Sequence, residues 1–167
     1  MEKAAELQFR LCGIDQEYYP AFLYMTAQWL ESGGDEMKSL EQRAGRACAA
    51  FRKHLSTDME EDDYQLFHKI LADTSISIFL DQIAGIPRLK QAAEDLRTSW
   101  EIYAFREEKD YYSNNLRRSA YMKQQFSSYY NEASLHDSLP RFFVKTGGMH
   151  AGIGESRLHI HDLGNML

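Results

Sequence analysis

The sequence predicts a helix-rich α/β fold, and three observations carry that expectation. Apolar residues recur at helical spacing over most of the chain, while two short apolar segments, residues 7–14 and 141–145, read as strands. Each segment ends in glycine, Gly13 in the first case and Gly147-Gly148 in the second, which suits a chain leaving a sheet edge. With 167 residues the chain is long enough to bury one core. The expected architecture is a single domain over residues 1–167: a small, incomplete sheet with a large helical insertion at about 34–106.

In order along the chain, the first strand carries Phe9, Leu11, Cys12 and Ile14, and Asp15 then stands where it can cap a helix entered through Gln16 and Glu17. Tyr18, Phe22, Met25 and Trp29 share a face of the next segment, which Ser32-Gly33-Gly34 stops. Met37, Leu40, Ala44, Ala47 and Phe51 mark a second amphipathic helix, with a polar break expected at Ser56-Thr57-Asp58. A third helix is expected to start in acids, from Asp58 to Asp63, and to run through Tyr64, Phe67, Ile70 and Leu71. It bends near Thr74-Ser75, continues through Ile78, Phe79 and Ile83, and ends at Gly85-Ile86-Pro87. Residues 88–132 tolerate helix almost throughout, with a break expected around Ser113-Asn114-Asn115. Leu139-Pro140 opens the strand Arg141-Phe142-Phe143-Val144-Lys145, and residues 157–160 read as another short strand after a glycine-rich loop.

The bulk composition excludes several classes. A net charge of −6 argues against nucleic acid as a partner, since phosphate backbones require a concentrated basic surface. No apolar run approaches the ~20 residues of a membrane span. The charged start, Met1-Glu2-Lys3-Ala4-Ala5-Glu6, lacks an apolar signal-peptide core, so a cytoplasmic location is expected of the chain as given, without bearing on a longer parent. Cys12 and Cys48 make no disulfide framework and read as small core residues. Nothing in the sequence marks a cofactor motif.

Chemistry is expected at the two strand ends, where open α/β sheets place their ligands. Asp15 and Glu17 follow the first; a carboxylate there can orient a histidine or act as a base, although helix capping explains Asp15 equally well. Gly147-Gly148-Met149-His150 leaves the second, delivering an imidazole that can move protons near neutral pH, against the alternative of a surface loop histidine. Arg118 lies on a helix leading toward His150 and could receive an anion; otherwise it is a salt-bridged arginine beside the buried face of Tyr121, Met122 and Phe126. His159, His161 and Asp162 suggest a metal site if His159 and His161 share one strand face, but three ligands from so short a stretch would be crowded. His54, His68 and His136 lie in polar surroundings and attract no role.

Taken together, these segments resemble the C-terminal half of an erythromycin-esterase-like protein. The resemblance rests on Phe9-Arg10-Leu11-Cys12-Gly13-Ile14-Asp15-Gln16-Glu17, on Arg118-Ser119-Ala120-Tyr121-Met122 with Gln125-Phe126, on residues 142–150, and on Ile160-His161-Asp162-Leu163-Gly164-Asn165. Gln125 stands where that family usually has asparagine. The family's upstream Gly-Glu-x-x-His-Gly motif, associated with water activation, is not in the chain. The resemblance therefore implies part of a metal-independent hydrolase acting on an ester or similar bond of a small-molecule substrate. His150 would handle a proton, Asp15 and Glu17 would supply carboxylates, Arg118 would meet an anionic intermediate, and the chain alone would be inactive. A non-catalytic helical binding domain and a metal-binding protein using His159, His161 and Asp162 are the alternatives. An open strand edge at Phe142-Phe143-Val144 is further expected to promote self-association.

Overall fold

A computed structural model of the chain describes residues 10–61, 65–147, 150–157 and 159–166. Among them are seven α-helices and a closing 3-10 turn, and no strand. The fold is all-α, and the expected α/β sheet is absent from the described residues. The helices are α1 (Ala21–Ser32), α2 (Gly34–Lys38), α3 (Glu41–Glu61), α4 (Leu66–Ala72), α5 (Thr74–Ala84), α6 (Lys90–Glu107) and α7 (Tyr111–Ser134).

The physical reason for the misread strands lies in where their apolar side chains go. Leu7 and Phe9 lie outside the described residues, but Ile14 packs with Val144 against Met122, Phe126 and Leu163. Phe142 sets its ring edge-on to Phe126, centroids 5.4 Å apart, and also meets Tyr130. An apolar run signals burial on one side, and a stretch of irregular chain lying along a helix satisfies that as well as a strand does. Residues 157–160 form no strand either; Leu158 lies outside the described residues, and pairing nearby is a single antiparallel bridge between Glu155 and His161. Without a strand at 141–145 the expected open sheet edge disappears, and Phe143 is simply 94% exposed.

The chain divides into two compact units, Gln16–Asn114 and Met1–Asp15 with Asn115–Leu167. In the first, the expected core positions Met37, Leu40, Ala44, Ala47 and Phe51 are all buried. Phe22 of α1, Phe51 of α3, Phe79 of α5 and Trp100 of α6 converge: Phe22 lies 5.2 Å from Phe51, 6.2 Å from Phe79 and 5.5 Å from Trp100 between ring centroids. Each such ring contributes ~1.5–3 kcal/mol through area removed from water. Gly33 separates α1 from α2 because a Cβ there would overlap Met37 and the Trp29 carbonyl.

Helix ends are set by specific acceptors. Ser56-Thr57-Asp58 does not break α3, and Asp58 belongs to its closing turns rather than to a new helix start; Asp62, Asp63 and Tyr64 lie outside the described residues. The break instead falls before α4, whose first amides are satisfied from a distance: Glu107, at the end of α6, accepts from the N–H groups of Phe67 and His68. The bend expected near Thr74 is real, and Asp73 caps α5 by accepting from Ser75 and Ile76 at 2.8 and 3.2 Å. The later break comes at Lys109, which adopts φ 61°, and Asp110 then accepts from Ser113 N–H. Ser113-Asn114-Asn115 are therefore helical, inside the first turns of α7.

The second unit is built on α7 from Asn115 onward. The N-terminal segment is tied to it by Arg10 with Glu132, and Phe142, Val144 and Leu163 cover the face carrying Met122 and Phe126. No described helix is long and apolar enough to cross a membrane.

Candidate functional site

Within the second unit, α7 offers one face to the chain on either side of it. Arg118, Ser119, Met122, Lys123 and Phe126 follow the i, i+1, i+4, i+5, i+8 pattern that lines one side of a helix. Met122 and Phe126 supply the apolar floor, and the polar members hold backbone and carboxylate groups above it.

Asp15 meets this face as the partner of Arg118. Its two oxygens accept from Arg118 Nε, at 2.8 Å, and from Nη2. The fork-on-fork geometry is the strong form of the arginine–carboxylate pair. Asp15 is thus no helix cap, since α1 starts only at Ala21. The salt-bridged alternative for Arg118 describes what the structure holds, with Tyr121, Met122 and Phe126 buried beside it as expected.

The loop after residue 147 is closed by bonds that fix His150 against Asp162. His150 N–H donates to the Gly147 carbonyl at 3.0 Å, and the His150 carbonyl accepts from Gly164 N–H at 2.9 Å. That second bond needs glycine: a Cβ at 164 would overlap the carbonyl oxygens of Ala151 and Gly152. Asn165 braces the loop from inside, its Oδ1 accepting from Gly154 N–H and its Nδ2 donating to the Gly154 carbonyl. The loop is anchored to α7 through the His161 carbonyl, which accepts from Ser119 Oγ and Lys123 Nζ.

The result is a buried dyad. His150 Nδ1 lies 2.7 Å from Asp162 Oδ2, with the two residues 7% and 6% exposed. Asp162 Oδ1 accepts from Leu163 N–H at 2.8 Å, so the carboxylate is held at both oxygens. A carboxylate only accepts, so the short contact requires a proton on Nδ1 and, in the neutral ring, leaves Nε2 with its lone pair. Chemically this is an imidazole of fixed tautomer, the arrangement in which histidine accepts a proton at Nε2 while its charge is stabilised behind. Leu163 and Ile14, the chain neighbours of Asp162 and Asp15, pack on the same Met122 and Phe126 floor.

The structure therefore brings Asp15 to Arg118 and His150 to Asp162. Glu17 falls in the other unit, where its N–H donates to Ser99 Oγ at 2.7 Å. Burial, with repulsion from Asp95 second, pushes its carboxyl above the ordinary value. The proposed metal trio is not assembled. His159 is not on a strand but at φ 56°, and its ring pairs with Glu155 at 3.3 Å, while Asp162 is committed to His150. Among the described residues no three His, Cys, Asp or Glu side chains are grouped to hold a metal ion. Gly148 and Met149 lie outside the described residues.

Two pairs escaped sequence reasoning. The sequence marks Asp162 only as a metal ligand or as part of the resembling segment; the signal for its pairing is an aspartate before Leu-Gly-Asn, near a glycine-flanked histidine. His54, read as unremarkable, places Nε2 2.8 Å from Asp73 Oδ2. Comparison with protein-family models, with curated proteins and with solved structures returns no match.

Proposed function

We propose that the second unit carries the proton-transfer element of a hydrolytic site acting on an ester or similar bond. His150 moves the proton through Nε2, and Asp162 sets its tautomer and stabilises the imidazolium. The observation that carries this reading is the buried 2.7 Å contact between Nδ1 and the carboxylate. Proton transfer by a positioned histidine contributes ~10²–10⁴-fold to a rate, which is ample use for a dyad held on both sides by backbone bonds. Arg118 enters as a cation whose Nε and Nη2 edge is taken by Asp15, so an anionic substrate group would have to compete with that carboxylate. Glu17, in the other unit, is left without a part in this proposal.

The burial of His150 favours a second reading, in which the dyad only clamps the loop and the unit is a non-catalytic binding module. Two measurements on the full chain separate them. Long-range ¹H–¹⁵N spectra of His150 should show the Nδ1–H tautomer in the wild type and its loss in Asp162→Asn. Against the inactivity that the resemblance implies for the chain alone, this reading expects weak hydrolysis of p-nitrophenyl esters, falling by ~10²-fold or more in His150→Gln with the fold intact. Turnover unchanged by His150→Gln, or an Nε2–H tautomer in the wild type, would sink the catalytic reading.

A further inference from the structure

The six-helix unit holds a second chemical feature, independent of the dyad. Between α3 and α5 lies a groove of about 380 Å³ lined by Arg43, Arg46, Thr74, Ser75, Ile78 and Gln82. That volume falls in the range of small-molecule sites, roughly 300–1,000 Å³. Its polar lining carries no carboxylate. Arg43 and Arg46 stand three residues apart on α3, and neither makes an ion pair among the described residues.

The local charge is unusual for this chain. Residues 42–57 include Arg43, Arg46, Arg52 and Lys53 and no acid, although the whole sequence has 25 acidic against 19 basic residues. Two guanidinium groups one turn apart repel each other, so an isolated pair is unfavourable until an anion sits between them. Planar guanidinium donors are matched to phosphate oxygens. The amides at the start of α5 are not the binding element, because Asp73 already caps Ser75 and Ile76 and its other oxygen faces His54. An anion would be held by side chains: the two arginines and the hydroxyls of Thr74 and Ser75. The Gln82 side chain lines the groove beside them, and an amide can both donate to and accept from ligand hydroxyls.

We propose that this groove binds a phosphate monoester of a small polyhydroxy compound. The phosphate lies between Arg43 and Arg46, and a ligand hydroxyl bonds the side-chain amide of Gln82. The apolar wall at Ile78 faces the carbon skeleton.

Titration calorimetry of the full chain, with amide chemical-shift mapping, tests this using hexose 6-phosphate, inorganic phosphate and unphosphorylated hexose. Hexose phosphate is expected to bind saturably and to shift the amides of Thr74, Ser75 and Gln82. Arg43→Gln and Arg46→Gln should each weaken it about tenfold or more, the scale of a lost charge-assisted contact. The double variant Arg52→Gln/Lys53→Gln, which removes twice the charge of either single variant on the same helix but outside the groove lining, should change it by less than about twofold. Inorganic phosphate should bind more weakly, and the bare hexose should not bind. Equal losses in the control variant would reduce the effect to general charge and overturn the proposal. So would binding of bare hexose as tight as that of its phosphate, binding of inorganic phosphate equal to that of the ester, or no saturable binding below about 10 mM, near the weakest affinities of specific sites. All variants lie on exposed positions of α3, and thermal melts should confirm that they fold.

Discussion

At the scale of single residues, the site is decided by side chains that hold backbone as much as by those that carry charge. Gly164 is the clearest case. Its amide holds the His150 carbonyl, and the space for a side chain is filled by the Ala151 and Gly152 carbonyls. Gly164→Ala should therefore cost ~1–3 kcal/mol, the usual range for forcing extra volume into a packed site. It should also disturb the His150 ring signals by NMR; a variant with unchanged stability and spectra would show that the loop closes by other means. Glu17 makes the opposite kind of prediction. Burial and then Asp95 raise its folded pKa above the ordinary 4.5, so the folded state favours the protonated form. Stability from this group is present below the ordinary value and is lost as pH rises through the raised one. Glu17→Gln, a permanent mimic of the neutral form, should melt higher than wild type at pH 7 and alongside it at pH 4. A lower melting temperature at pH 7 would refute this account of the carboxyl.

At the scale of elements, helix boundaries follow the supply of acceptors for terminal amides more closely than the hydrophobic period. Asp73 shows why. Burial alone would raise its carboxyl, but hydrogen bonds from His54 and from the Ile76 and Ser75 amides outweigh that and hold it below the ordinary value of 3.8. A depressed pKa means the stabilisation is present above the ordinary value and is lost as pH falls through the folded one. Asp73→Ala should cost ~0.5–2 kcal/mol at neutral pH by removing the α5 cap. In urea melts its difference from wild type should shrink as pH falls through the depressed folded value and the wild-type carboxyl takes up its proton; a difference independent of pH would contradict it. Glu107 does the same work for α4 across 39 and 40 residues of chain, which no local pattern announces. The break at Lys109 was likewise illegible, because a lysine at φ 61° carries none of the glycine or asparagine signals of such a conformation. The expected break at Ser113-Asn114-Asn115 rested on residue type, but Asp110 caps the helix that contains them.

At the scale of the whole molecule, the six-helix unit draws its stability from the meeting of α1, α3, α5 and α6 around aromatic rings. Phe51 is fully buried and touches both Phe22 and Trp100. Phe51→Ala should lose ~3–5 kcal/mol, the cost of a large cavity in a close-packed core. Chemical denaturation followed by circular dichroism measures this, and a loss under ~1 kcal/mol would mean that the ring cluster is peripheral to the unit's stability.

The sequence by itself determined the helical faces. The burial of Met37, Leu40, Ala44, Ala47 and Phe51, the buried side of α7 at Tyr121, Met122 and Phe126, and the bend before Thr74 all follow from periodicity and capping chemistry, which are local, although the one helix expected through Met37 and Phe51 is two, broken at Ser39-Leu40. Arg118, Asp15 and His150 also stand out by residue type, as charge and imidazole beside glycine do in any context. Their partners do not. Only the tertiary structure could pair Asp15 with Arg118 across 103 residues, or decide that Asp162 faces His150 rather than a metal. It alone could decide that the apolar segments at 7–14 and 141–145 do not pair as strands over their described residues. A strand is defined by backbone bonds to a neighbour that may lie anywhere in the chain, and an apolar run carries no record of that neighbour. Here Ile14, Phe142 and Val144 pack on the apolar face of α7, and side-chain burial against a helix takes the place of a sheet.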